Sequence, residues 1–178
     1  MKINKTSLPG NSFLSIFQHQ YHYVDSYSVI FESKGKEITV EDIGKAFFSS
    51  SPTWINLLLE LRNKIVRLFG LKTGATGKYS RQMIDEFKYE PGERFGLFKV
   101  FSKSNNELIL GEDDKHLNFK VSLLLDKKVT GENILVVSTV VIFNNWFGRL
   151  YFLPVKPFHK LIVPAMVKSV VRQLTNSK

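Results

Sequence analysis

A chain of 178 residues, 43% hydrophobic and 13% aromatic, suits one domain with one core and needs no second. With no cysteine it excludes disulfides, thiolate metal sites and cysteine nucleophiles, and it matches a reducing compartment. The formal charge of +9 raises nucleic acid or an anionic membrane surface as partners, yet the basic residues are spaced singly, without a Lys/Arg run or a specific nucleic-acid motif, so a solvated basic face is the leading reading.

Residues 1–20 read as an irregular extension broken at Pro9-Gly10, with Phe13, Leu14, Ile16 and Phe17 free to pack on a body formed by residues 21–178. The first residues lack the apolar core and small-residue cleavage site of an export signal, and the longest apolar run, 134–143, is too short to span a bilayer. A soluble, cytoplasmic protein is expected. From Tyr21 to Glu32 the side chains alternate as in a strand, with Tyr23, Asp25, Tyr27, Val29 and Phe31 on one face. Asp25 shares the more apolar face, where an edge or turn carboxylate at the strand start is expected ahead of a pocket role.

Thr39-Val40-Glu41-Asp42 has the form of a capping box opening a first helix that turns Val40, Ile43 and Phe47 inward. Ser51-Pro52 opens a second helix that runs to Gly70, with Trp54, Leu57, Leu58, Leu61, Ile65 and Leu68 at helical spacing. Arg62 falls inside that apolar arc, and a buried guanidinium needs a carboxylate, carbonyls or an anionic ligand unless its stem snorkels to water. The glycine-rich segment 72–80 fails the spacing of a phosphate loop and is expected to be a mobile connector.

Four strands follow, over 94–102, 106–111, 116–126 and 133–143, and form an antiparallel meander. The last is apolar on both faces, so it should be central, its second face covered by the amino-terminal extension, an extra helix or another subunit in a homo-oligomer. Residues 144–175 read as one long helix with Phe152, Val155, His159, Ile162, Met166 and Val170 on the inner stripe. Pro157 and Pro164 fall on the outer side with Lys156, Lys160, Lys168 and Arg172, so the helix should curve around what it covers. Residues 133–178 hold six Lys or Arg and no Asp or Glu, which concentrates the basic excess there.

Two constellations carry chemistry. Gly111-Glu112-Asp113-Asp114-Lys115-His116 gathers three carboxylates and an imidazole, but it lacks the ligand order of a calcium loop, and an exposed polar turn is the expectation ahead of a metal site. His159 is the stronger oddity, because helical phase places it in an apolar row. If the long helix crosses the sheet near the second helix, then Arg62, Asp114 or His116, His159 and Tyr27 would line one apolar cavity. No Gly-x-Ser-x-Gly elbow, HExxH helix or dinucleotide glycine fingerprint is present, so no cofactor and no metal is expected.

The order of strand, two short helices, antiparallel strands and long terminal helix resembles the START-like, or SRPBCC, helix-grip superfamily. Within it, YHYVDSYSV (21–29), PTWINLLLELRNKIVRLFGL (52–71), LGEDDKHLNF (110–119) and GRLYFLPVKPFHKLIV (148–163) resemble a domain-of-unknown-function family. Members of that family also occur behind short-chain-dehydrogenase-like NAD(P)-binding domains. The resemblance implies an α+β fold in which a curved antiparallel sheet grips the long helix over a cavity for a hydrophobic molecule. These residues carry no nucleotide-binding domain, so the fusion implies no redox role here. The leading expectation is a binding module for a small hydrophobic ligand. The alternatives are an enzyme using His159, or His116 with Asp114, as acid/base groups, and a basic module that contacts membranes or proteins.

Overall fold

Alternating side chains demand a sheet, and the computed structural model, which describes residues 1–33, 35–50, 52, 81–128 and 131–176, contains one sheet of seven antiparallel strands. They are β1 (Ile3–Thr6), β2 (Tyr23–Phe31), β3 (Arg94–Phe95), β4 (Phe98–Lys103), β5 (Glu107–Asp113), β6 (Leu117–Lys127) and β7 (Asn133–Phe143), arranged in the order β1-β2-β7-β6-β5-β4-β3. The helices are α1 (Val40–Ser49), the short α2 (Arg81–Glu86) and the long α3 (Trp146–Asn176). The fold is α+β: a curved, open sheet grips α3 across one face. The helix expected over 52–70, Pro52 apart, with Arg62, and the connector 72–80 lie outside the described residues.

β7 lies inside the sheet, as its doubly apolar sequence requires, paired with β2 from Tyr23↔Val141 to Phe31↔Asn133 and with β6 along its whole length. Its inner face, through Leu135 and Val137, joins a core with Val29, Leu123, Ile43 and, from α3, Val163, Val167, Val170 and Leu174. Each such side chain, fully buried, contributes roughly 1.5 to 3 kcal/mol, so packing rather than helix propensity holds the second half of α3. Its outer face is covered by the amino-terminal segment, where Leu8 and Leu14 pack against Ile109 and Val140.

That segment corrects the expectation of an irregular extension. Ile3–Thr6 pairs with Ser26–Val29 of β2, and Phe13–Gln20 forms 3-10 turns capped by Ser12. The buried Glu107 carboxyl fastens it: one oxygen accepts from the Ser12 hydroxyl at 2.5 Å and from the Ser122 hydroxyl, and the other accepts from the Phe13 amide at 2.8 Å. The strand expected over 94–102 is likewise two strands, because Gly96 at φ +59° folds β3 back on β4 with Phe95 opposite Phe98.

The capping box is present: the Asp42 amide donates to Thr39 Oγ1 at 3.2 Å, and the Thr39 amide donates to Asp42 Oδ2 at 3.1 Å. Thr39→Ala is expected to cost about 1 kcal/mol, lowering Tm by about 3 °C in a thermal melt. An unchanged Tm would show that packing alone fixes the start of α1.

α3 begins at a socket. Asn145 Oδ1 accepts from the Gly148 amide at 3.0 Å, which caps the helix, and the Asn145 amide group donates to the Lys115 carbonyl at 3.1 Å. Gly148 then sits against the His116 carbonyl so closely that a Cβ there would lie 2.0 Å from its oxygen. Pro154, Pro157 and Pro164 lie inside the helix, the first two exposed and the third half-buried. Their missing N–H groups leave the carbonyls of Leu150, Leu153 and Lys160 without the usual donor four residues on.

Candidate functional site

Strand alternation puts Tyr23, Asp25 and Tyr27 on the side of β2 that faces α3, and the first turns of that helix cross over them. Asp25 is 4% exposed. A carboxyl so deeply buried needs donors, and two reach it: the Tyr23 hydroxyl donates to Oδ2 at 2.8 Å, and His159 Nε2 lies 3.3 Å from Oδ1. Asp25 is therefore not an edge or turn carboxylate. It is the centre of a polar island, and His159 reaches it from α3, across 134 residues of sequence.

The walls of the island are aromatic. The Tyr23 ring packs edge-on to Phe152 with centroids 4.8 Å apart and to His159 at 6.0 Å, and Phe143 lies 5.4 Å from Phe152. Lys156 Nζ stands 5.6 Å from the Tyr23 ring centroid, within reach of a cation–π contact. Burial, the hydrogen bond to Asp25 and the charge of Asp25 push the Tyr23 hydroxyl far above the usual phenol range, so it stays a proton donor. The Tyr27 hydroxyl is raised as well, by burial first and the Asp25 charge second.

Two features give this island chemical capacity. The contact with Asp25 engages His159 Nε2 and leaves Nδ1 as the ring nitrogen open to a further partner, on a side chain that is 18% exposed. Thr139, the partner of Asp25 in the β2–β7 register, is 4% exposed, and its Oγ1 has no hydrogen-bond partner among the described residues. A buried hydroxyl without a partner forfeits free energy that water or a ligand oxygen would recover.

The other residues singled out by sequence fall elsewhere. His116 and Asp114 sit on the β5–β6 turn, their side chains 3.6 Å apart, and the His116 ring packs edge-on to Tyr151 at 5.0 Å. Tyr151 and His159 are separated by two turns of α3, about 12 Å. His116 and Asp114 thus form the socket of the helix rather than a common site with His159. The segment Gly111–His116 is an exposed turn only in part: Asp113 and Lys115 are exposed, but Gly111 and Glu112 belong to β5, Glu112 and His116 are buried, and Glu112 pairs with Arg94. Tyr27 stands two residues along β2 from Asp25, buried in the main core. Arg62 lies outside the described residues.

Among the described residues no three His, Asp or Glu side chains converge to hold a metal ion, and no helix is long and apolar enough to cross a membrane. Among the described residues two open clefts of about 440 and 630 Å³ are lined by loop residues such as Glu32, Ile38 and Asn106 and by Asn133 at the start of β7. Both lie toward the Phe31 end of β2, six residues or roughly 20 Å along the strand from Asp25, and neither contains a comparable constellation. Asp25, expected as an edge or turn carboxylate, and Tyr23, placed by sequence only on a strand face, are the functional residues here, and their shared phase with Tyr27 and Phe31 is the signal of an inward position.

Compared with known proteins, residues 17–166 match the model of one family, described as a protein of unknown function, DUF2867. No curated protein and no solved structure matches the chain significantly.

Proposed function

The chain belongs to the DUF2867 family, whose description names no function, and we propose that it is a cytoplasmic, START-like binding protein. It takes a small, largely apolar molecule on the helix-facing side of the sheet, with the polar head of that molecule at Tyr23, Asp25, Thr139 and His159. The observation that carries this reading is the Thr139 hydroxyl, unpartnered among the described residues, beside a carboxyl–imidazole pair on an aromatic face. Such a surface offers donors and acceptors at one point and apolar contact around it, which is the usual composition of a small-molecule site.

Native mass spectrometry of the purified protein, with extraction into organic solvent, tests for a co-purified molecule. Titration with oleic acid and with anilinonaphthalene sulfonate then tests the location. Thr139→Val keeps the shape and removes the hydroxyl, and it is expected to weaken binding of the extracted molecule or of oleic acid about tenfold, the equivalent of one good hydrogen bond. No adduct and no titratable binding, or equal affinity in wild type and Thr139→Val, would sink the reading.

The orientation of His159 by Asp25 favours a second reading, an acid/base enzyme acting on a hydrophobic substrate with His159 Nδ1 as the base. It predicts conversion of a bound molecule that is lost in His159→Gln while binding persists. Recovery of the extracted molecule unchanged after prolonged incubation with the wild type would exclude it.

A further inference from the structure

The outward side of α3 poses a problem that a ligand on its inner side does not solve. Its first half is apolar on both faces. Beneath lie Phe152 and Val155, packed on the sheet. Above lie Trp146, Leu150, Leu153 and Leu161, with 74%, 53%, 67% and 65% of their surface exposed. At spacings of four, three and eight residues these four side chains share one stripe, and Pro157, also exposed, completes it. Arg149, Lys156 and Lys160, all exposed, recur at spacings of seven and four along one flank of that stripe. The helix contains no Asp or Glu. Apolar residues in water for a length of roughly 24 Å are uncommon unless something covers them.

We propose that this outward face docks on the surface of an anionic bilayer. The apolar stripe enters the boundary between headgroups and acyl chains, and the basic row lies against lipid phosphates and carboxylates. Charge decides between occupants. A second copy of the chain seated on the same face would bring three more cations and no carboxylate from its own α3, whereas an anionic lipid surface neutralises all three. The depth also fits, because the opposite face of the helix is committed to the sheet, so α3 lies in the interface rather than across it. Trp146 at the start of the stripe is the residue type that settles at headgroup level. This inference stands on the exposed face alone and does not depend on a ligand at Asp25.

Co-sedimentation of the full chain with vesicles of phosphatidylcholine, or of phosphatidylcholine mixed with phosphatidylserine, tests it. Binding is expected at least tenfold tighter to the mixed vesicles, weakening as salt is raised. In a Trp54→Phe background Trp146 is the sole tryptophan, and its emission should shift to the blue on binding. Arg149→Gln with Lys160→Gln should weaken binding roughly 25-fold, from about fivefold per charge. Leu150→Gln with Leu153→Gln should abolish it while leaving the circular dichroism spectrum intact, since both side chains already face water. Absence of binding at low salt, equal binding to both vesicle types, or full retention by both double variants would overturn the proposal. So would a dimer seen by light scattering that Leu150→Gln with Leu153→Gln dissolves, which would assign the face to a second copy.

Discussion

Replacing Gly148 by alanine is expected to destabilise the protein by about 3 kcal/mol and to lower Tm by roughly 10 °C. The direction is the reverse of what helix propensity gives, because Gly→Ala in an exposed helix interior would gain about 1 kcal/mol. Sterics win here: the new Cβ would stand 2.0 Å from the His116 carbonyl oxygen and 2.9 Å from its carbon. That carbonyl cannot easily retreat. It accepts from the Asn144 amide at 3.0 Å, and the Asn144 side chain is itself held by the Asp114 carbonyl at 2.7 Å and by Asn118 Oδ1 at 2.8 Å. The helix must move instead, and His159 moves with it. A thermal melt measures the first effect, and the histidine Nε2 resonance in nitrogen-15 NMR measures the second, as loss of the Asp25 partner. An unchanged Tm would show that the socket has slack.

Glu107→Ala is expected to be the other severe change, at about 4 kcal/mol, because one buried carboxyl receives two hydroxyls and a backbone amide. Truncation leaves Ser12, Ser122 and the Phe13 amide without their acceptor and opens a cavity beside Leu14. Glu107→Gln keeps the volume and one carbonyl oxygen but presents an NH2 group to one of the three donors, so a cost of about 2 kcal/mol is expected. Denaturant unfolding gives the total. Hydrogen exchange at Phe13 and Leu14 gives the location, since both amides should exchange faster than in the wild type at equal global stability. If their protection is retained in Glu107→Ala, the amino-terminal segment is held by Leu8 and Leu14 alone.

How much of this was written in local pattern depends on where each partner lies. The double apolar face of β7 was enough to make it central, since a strand exposed on either side does not tolerate such a sequence, and the phase of α3 was enough to turn His159 inward. The Thr39–Asp42 cap was legible because its partners are three residues apart. Asp25 was legible in phase and was misassigned in environment, because a carboxylate near a strand start is usually a boundary residue. What buries it is Thr139 beside it and α3 above it, and neither is local. The acids next to His116 read as an exposed polar turn for the same reason: Asn144 and Asn145, which seat the start of α3 on the carbonyls of Asp114 and Lys115, lie 30 residues further on. Gly96 carries no local sign of the reversal, because RFGLFKV keeps its apolar content through the turn, and only the positive φ reveals it. β1 was missed because INKT is four residues long with a single half-buried side chain.

The two margins of the sheet bear on how copies of this protein can associate. At one side stands β1, four residues with Lys5 among them, and at the other stands β3, two residues led by the exposed Arg94. Margins so short and so charged offer little main chain for a foreign strand to zip onto, which is how natural sheets escape edge-to-edge aggregation. Growth of the sheet from one molecule into the next is thereby discouraged. A homo-oligomer built on the described faces would then join side chains to side chains, and it would inherit the reversibility of such contacts rather than the persistence of a shared backbone ladder.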